Sequence, residues 1–375
     1  MQLSLDALLL GPHAGNSGYS INNYFNFCRQ HLPESMPDWC IGCLSPGGTP
    51  TSEHPSLSHR VRHRAWWDTY IEWPLRLRRQ RAELFHVIDQ GLAWYAKFIP
   101  RARCITTVHD LIAYLTSSGG LTFDHLPYRR KLLVLECVRQ IRRMDHIIAV
   151  SQHTANCLVR ELAIPVSRIT VVHNPVDKRF TPLAPFEYGS SRQRWFGSAS
   201  YAIIHVGQAV AYKNRIGALK AFALLHSELP DARMFLVQGP PDRQEAAFLA
   251  QSSCSSAVKF LPSLQSSELR EFYGAADALI FPSLYEGFGW PPLEAMACGC
   301  PVVSSTRASL REVVGDAALT VDDPHDHKAF AARLTSVLKD PCMARDLRQR
   351  GLRHVENFQP SLILARIAEV YRSLV

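Results

Sequence analysis

The chain has 375 residues, 47% of them apolar and 20% charged; that is the balance of a soluble globular protein, and it is too long for one ordinary core, so two domains are expected. No apolar run is long enough to span a bilayer, and the apolar first ten residues are broken by Asp6 with no basic residue ahead of them, which reads as a buried strand and not as a secretory signal. The net charge of +8 lies almost wholly in the first half: residues 1–180 hold 21 Lys and Arg against 14 Asp and Glu, whereas residues 181–375 hold 20 against 19.

A basic half attracts anionic partners such as headgroups, diphosphates or nucleic acid. No recognised nucleic-acid reader motif accompanies the charge, so nucleic acid is not an expected partner. The ten cysteines show no framework spacing, and Cys40 and Cys43 form a C-x-x-C with no second pair to complete a metal site. Reduced thiols in a cytoplasmic protein, with no metal, are the expectation.

In chain order, short apolar runs alternate with helical periodicity. Residues 3–10, 83–89, 104–108, 146–150 and 169–172 read as strands, with helical stretches such as 128–143 between them. Strands separated by helices predict a parallel sheet with crossover helices. Within this half, Trp66, Trp67, Tyr70 and Trp73 stand beside Arg76, Arg78, Arg79 and Arg81, and Pro74 is expected to interrupt any single helix there. Aromatic rings favour the headgroup level and arginines favour anionic lipid, so this stretch is a candidate for docking on an anionic membrane surface.

Residues 181–200, rich in Pro, Ser, Gly and Arg, read as a linker. A second strand series follows at 201–206, 233–237, 258–261, 278–281 and 301–304. The expected architecture is α/β: a doubly wound domain over 1–180, the linker 181–200, and a second doubly wound domain over 201–356. A last helix, about 357–375, is expected to pack back on the first domain. Ligands of such folds bind outside the carboxyl ends of the strands, here in a central cleft that the two domains are expected to face.

The most informative segment runs from Phe281 to Pro301. A strand ends, a glycine-containing loop Glu286-Gly287-Phe288-Gly289 follows, and a helix opens near Pro291 and stops at Gly299. Glycine lets backbone amides approach a ligand closely. A helix N-terminus suits a diphosphate, and since two prolines supply no N–H, the donors must come from Leu293 and Glu294. Glu286 and Glu294 have seven residues between them. A carboxylate accepts two hydroxyls at once, which suits sugar and ribose diols.

This segment resembles the E-x7-E signature of family 4 retaining glycosyltransferases, whose GT-B fold has two facing Rossmann-like domains. The resemblance extends to Gly207-Gln208-Ala209-Val210-Ala211-Tyr212-Lys213-Asn214, to Thr107-Val108-His109-Asp110-Leu111, to Ala149-Val150-Ser151, to Val172-His173-Asn174-Pro175-Val176-Asp177 and to residues 310–318. It implies that Glu286 and the amides of Gly287, Phe288 and Gly289 hold the donor sugar and that Glu294 binds the nucleotide ribose. Gly207, Asn214, Leu261 and Leu293 are counted with the donor-binding residues. Gly15 and Gly18, after the first strand, resemble the family's first-domain glycine loop near the diphosphate.

Lys213 follows a strand, and its ammonium can neutralise charge growing on a leaving diphosphate. Members of the family usually carry an arginine beside this lysine or just after the glycine; here Tyr212 and Gln208 stand there, so either Lys213 acts with less help or Arg215 or another arginine substitutes. His109 directly follows a strand, and the resemblance implies a hydrogen bond to the donor sugar or the reacting hydroxyl, with Asp110 supporting the loop.

The resemblance thus implies a metal-independent retaining hexosyltransferase, with His109, Lys213 and Glu286 as its catalytic residues and no cofactor. The Gly-Phe-Gly-x-Pro-x-Leu-Glu loop is most similar to those of mannosyltransferases of the family, hence GDP-mannose as the expected donor. A glycan or lipid-linked acceptor of cell-surface polysaccharide is the expected partner. A binding-only subunit of a transferase complex is the rival reading, which donor turnover separates; a basic nucleic-acid-binding protein would need salt-dependent affinity for DNA.

Overall fold

The computed structural model describes residues 5–12, 19–46, 66–121, 123 and 126–375. Gly15 and Gly18 lie outside the described residues. The chain divides into two compact units, 1–173 with 361–375, and 174–360.

The first unit is built on a six-stranded, all-parallel sheet: β1 (Leu5–Leu10), β2 (Ile41–Leu44), β3 (Ala82–Val87), β4 (Arg103–Val108), β5 (His146–Ala149) and β6 (Ile169–Val171), in the spatial order β2-β1-β3-β4-β5-β6. The inner strands β1, β3, β4 and β5 are buried over most of their length, as expected of a parallel sheet covered on both faces, and β3 and β4 bury the polar side chains of His86, Thr106 and Thr107. The chain returns to this unit through the helix Pro360–Arg372, whose Tyr371 is fully buried and bonds His86 of β3. Near Trp66 the sequence expectation needs correction. Pro74 does not end the helix. A turn of π-helix over Asp68–Glu72 runs directly into the α-helix Trp73–Leu77. Proline clashes with the carbonyl four residues back, and the wider π turn relieves that clash. Trp73 is buried, whereas Trp66, Trp67 and Tyr70 are exposed.

The second unit holds β7 (Tyr201–Val206), β8 (Ala232–Val237), β9 (Val258–Leu261), β10 (Ala278–Phe281), β11 (Val302–Ser305) and β12 (Leu319–Val321), again all parallel, ordered β12-β11-β10-β7-β8-β9. The chain starts at the centre, winds outward to β9, then returns to β10 and winds the other way. The switch therefore falls between β7 and β10, where ligands of doubly wound sheets bind. One face of the sheet packs Ile203, Met234, Leu236, Ile280 and Val303 against Leu219, Phe222, Phe330 and Leu334 of two flanking helices.

Residues 181–200, read from the sequence as a linker, contain the helix Pro185–Phe196. Pro185 sits in its first turn, Glu187 accepts the Ala184 N–H at 2.7 Å and pairs with Arg270, and Phe196 packs on Phe235 and Phe272. This tertiary anchoring overrides the weak helix propensity of Gly189, Ser190 and Ser191. Among the described residues no helix is long and apolar enough to cross a membrane.

Candidate donor-binding site

Two loops leave the sheet at the switch point. The first follows β7 from Gly207 to Asn214, and the second follows β10 from Pro282 to Gly289. Backbone and side chains tie them together: the Leu284 N–H bonds Tyr212 O at 2.8 Å, and Asn214 Nδ2 donates to Pro282 O at 2.9 Å. Asn214 adopts the left-handed conformation (φ 51°), accepts the Gly217 N–H at the start of the helix Arg215–Glu228, and donates also to Pro324 O. Its amide is thus engaged on both atoms by the protein, and Asn214 shapes the turn.

Lys213 and Glu286, 73 positions apart, are brought into direct contact. Lys213 Nζ lies 2.8 Å from Oε1 and 3.0 Å from Oε2 of Glu286, with both side chains largely buried. The rings of Phe281 and Tyr212 flank the ammonium at 5.4 and 5.6 Å. Gly207 lies against the lysine stem: a Cβ there would stand 3.4 Å from Lys213 Cδ and 3.2 Å from Nε2 of His205. His205 is fully buried and donates from Nδ1 to Ile280 O at 3.0 Å, since a carbonyl can only accept. Burial pushes its ring down to about 3, so it adds no charge beneath Lys213.

In the second loop, Ser309 Oγ bonds the carbonyls of Glu286 (2.9 Å) and Phe288 (2.7 Å). In a trans peptide the C=O and the following N–H point opposite ways. Ser309 therefore holds the two peptide planes that carry the Gly287 and Gly289 N–H groups. Gly289, at φ 112°, caps the helix Trp290–Ala297, and a Cβ there would stand 2.7 Å from Leu310 Cδ2, so only glycine fits. Trp290 anchors the helix start by donating from Nε1 to Pro175 O at 2.9 Å. Gly299, at φ 75°, stops the chain just past that helix.

Glu294 lies in this helix and is 9% exposed; Leu293 beside it is fully buried. The Tyr273 hydroxyl donates to Glu294 Oε2 at 3.0 Å. Burial pushes the Glu294 carboxyl up to about 7, opposed by the Tyr273 bond; Asp177 raises it further, and Lys213 and Arg179 pull it down.

Arg215, named from the sequence as a possible substitute arginine, is 2% exposed and paired with Glu245 at 3.0 Å, and so is committed elsewhere. Arg179 is bound to Asp177 by a two-oxygen ion pair. Leu261 closes β9 at the sheet edge, half-buried, with its carbonyl accepting the Gly239 N–H at 3.1 Å. Sequence reasoning missed Tyr273, Ser309 and Trp290. Only Ser309, in the hydroxyl-rich run Ser304-Ser305-Thr306-Arg307-Ala308-Ser309 after a strand, left a local signal.

In the first unit, His109 is buried just past β4. Its backbone N–H bonds Gln90 Oε1 at 2.8 Å, and its ring donates from Nε2 to Ile88 O at 3.0 Å, leaving Nδ1 as the acceptor of a neutral imidazole. Burial holds the ring down at about 4. Asp110 Oδ1 accepts the Ile112 N–H at 2.9 Å, supporting the loop.

Residues 192–354 match the family model described as glycosyl transferases group 1, and residues 39–180 match that of glycosyltransferase family 4. The chain therefore belongs to the family 4 glycosyltransferases of GT-B fold and is mannosyltransferase-like. It is 29% identical over 279 residues to the O-antigen chain mannosyltransferase B of Escherichia coli, covering 72% of this chain and 71% of that protein. It is 30% identical over 239 residues to the D-inositol 3-phosphate glycosyltransferase of Thermobispora bispora, covering 60% of this chain and 55% of the relative. Among solved structures, Alr3699/HepE of Anabaena in complex with UDP and glucose superposes with a TM-score of 0.76 at 16% identity, covering 98% of this chain and all of that one, a likeness of fold.

Proposed function

We propose that this glycosyltransferase is a retaining, metal-independent hexosyltransferase that moves mannose from GDP-mannose to a hydroxyl of a glycan or lipid-linked acceptor. The observation that carries the reading is the Lys213–Glu286 pair at the switch point, with Glu294 held in the helix that follows the same loop. In the proposal, Glu286 exchanges the lysine for hydroxyls of the donor sugar. The released ammonium then meets the diphosphate and offsets its growing charge as the glycosidic bond breaks. Glu294 accepts the ribose hydroxyls, and the Gly287 and Gly289 amides approach the sugar. His109, neutral and with Nδ1 as an acceptor, takes a hydrogen bond from a sugar or acceptor hydroxyl. With no covalent nucleophile assigned, we infer front-face displacement with retention of the anomeric configuration.

The mannosyltransferase relative supports mannose, and the HepE complex with UDP and glucose supports a nucleotide sugar as the class of donor. We further propose that the protein works at the cytoplasmic face of a membrane, docked through the exposed Trp66, Trp67 and Tyr70 and the neighbouring arginines. The test is a thermal-stability screen of nucleotide sugars, since a specific ligand raises stability by mass action. GDP-mannose is expected to give the largest upward shift. A UDP- or dTDP-sugar giving a larger shift would overturn the donor assignment.

A further inference from the structure

A buried polar chain in the first unit stands outside the donor site. Tyr371, on the helix Pro360–Arg372, sets its hydroxyl 2.6 Å from His86 Nδ1. His86 Nε2 lies 2.8 Å from Thr107 Oγ1, which lies 3.3 Å from the Tyr24 hydroxyl. None of the four side chains is more than 1% exposed. The last ring of the chain, Tyr24, meets His109 edge to face, with centroids 5.0 Å apart at 83°.

The protons in this chain have a consistent direction. Burial pushes His86 down to about 3, so its ring is neutral, with one N–H and one lone pair. If the Tyr371 hydroxyl donates to Nδ1, Nε2–H donates to Thr107 Oγ1 and the Thr107 hydroxyl donates to the Tyr24 oxygen. Tyr24 in turn hydrogen-bonds Cys28. Every proton then has an acceptor, the condition under which a buried network rigidifies its surroundings. Removing one hydroxyl strands a buried partner, and the network must reorient or admit water.

At its far end, the chain bears on the buried ring of His109. The Nε2–H bond to Ile88 O sets one edge of His109, and the Tyr24 ring packs against the imidazole at a near-right angle. We propose that Tyr371, His86 and Thr107 are positioning residues for His109, acting through the ring of Tyr24, so that the C-terminal helix helps set the orientation of that imidazole. The proposal rests on the active-site reading of His109 for its effect on turnover, but its structural part is independent of that reading.

The test uses the full chain with 15N-labelled histidine. Long-range proton–nitrogen spectra of His109 are recorded from pH 5 to 8 for the wild type, Tyr371→Phe, Thr107→Val and Thr107→Ser, and GDP release from GDP-mannose is measured on the same samples. The wild type is expected to show one tautomer, with Nδ1 unprotonated and no titration above pH 5. In Tyr371→Phe and Thr107→Val, the tautomers should mix and the His109 midpoint should climb toward 6.5. GDP release should fall by up to about a hundredfold in kcat with KM for GDP-mannose unchanged, the scale of a displaced active-site group. Thr107→Ser, which keeps the hydroxyl, should restore both readouts. Tyr371→Phe loses a single oxygen, and it decides the matter if Thr107→Val does not fold. His109 keeping one untitrated tautomer in the variants would overturn the proposal. His109→Asn releasing GDP at the wild-type rate would instead remove the active-site reading, and the spectra alone would then decide the positioning.

Discussion

Glu294 should make both the stability and the nucleotide affinity of this protein depend on pH, and the magnitude follows from its burial. Its carboxyl titrates at about 7 in the folded chain, against an ordinary value of 4.5. Below pH 4.5 it is protonated in both the folded and unfolded states and contributes nothing to the balance. Between 4.5 and 7 the unfolded chain loses this proton first, so stability falls as pH rises, and above 7 the full cost of the buried charge remains. That cost is about 3 kcal/mol. Glu294→Gln keeps an acceptor for the Tyr273 hydroxyl and removes the charge. The variant should match the wild type near pH 4.5 and be more stable by about 3 kcal/mol at pH 8, or roughly 6–12 °C in Tm for a unit of this size. Taking the difference between the two proteins cancels the other buried titrating groups.

Ribose hydroxyls would stabilise the carboxylate form, so GDP should bind the wild type about tenfold more tightly at pH 8 than at pH 6 through this group. Binding near pH 7 should release a fraction of a proton, measurable by calorimetry in buffers of different ionisation enthalpy, and Glu294→Gln should abolish that release. A stability difference that stays flat from pH 4.5 to 8 would refute the reasoning about burial. GDP affinity with the same pH dependence in wild type and variant would refute the ribose assignment.

Lys213→Ala should lower turnover by roughly a hundredfold or more, the usual scale for losing a group that stabilises developing charge, and wild-type turnover should persist in a chelator; loss of activity on chelation would contradict the metal-independent reading. Replacing Arg76, Arg78, Arg79 and Arg81 by Gln should abolish low-salt co-sedimentation with anionic vesicles while sparing donor binding, and an intact protein that ignores such vesicles would contradict membrane docking.

The loop 286–289 was legible in the sequence because its signals are local. Gly287, Gly289, Pro291 and Gly299 mark turn, helix start and helix stop; in the structure Gly289 and Gly299 adopt positive φ at the two ends of the helix and Pro291 lies in its first turn. The inner strands were legible as apolar runs, whereas β2 and β12, short and at the sheet edges, carry too little apolar pattern to be noticed. Pairings across long sequence distances were not legible. Nothing near Lys213 announces Glu286, and nothing near Glu294 announces Tyr273. The acceptors for the Asn214 amide, Pro282 and Pro324, likewise lie far along the chain. The helix Pro185–Phe196 was hidden by its own glycine and serines and is held by Arg270 and Phe235, partners no local reading supplies.

The division of labour between the two glutamates is tested most directly by calorimetric titration of GDP and of GDP-mannose into wild type, Glu286→Ala and Glu294→Gln. Glu286→Ala should bind GDP as the wild type does while losing the added affinity for GDP-mannose and turnover. Glu294→Gln should weaken both ligands together. Unchanged GDP affinity in Glu294→Gln, or equal loss of GDP affinity in both variants, would contradict the account.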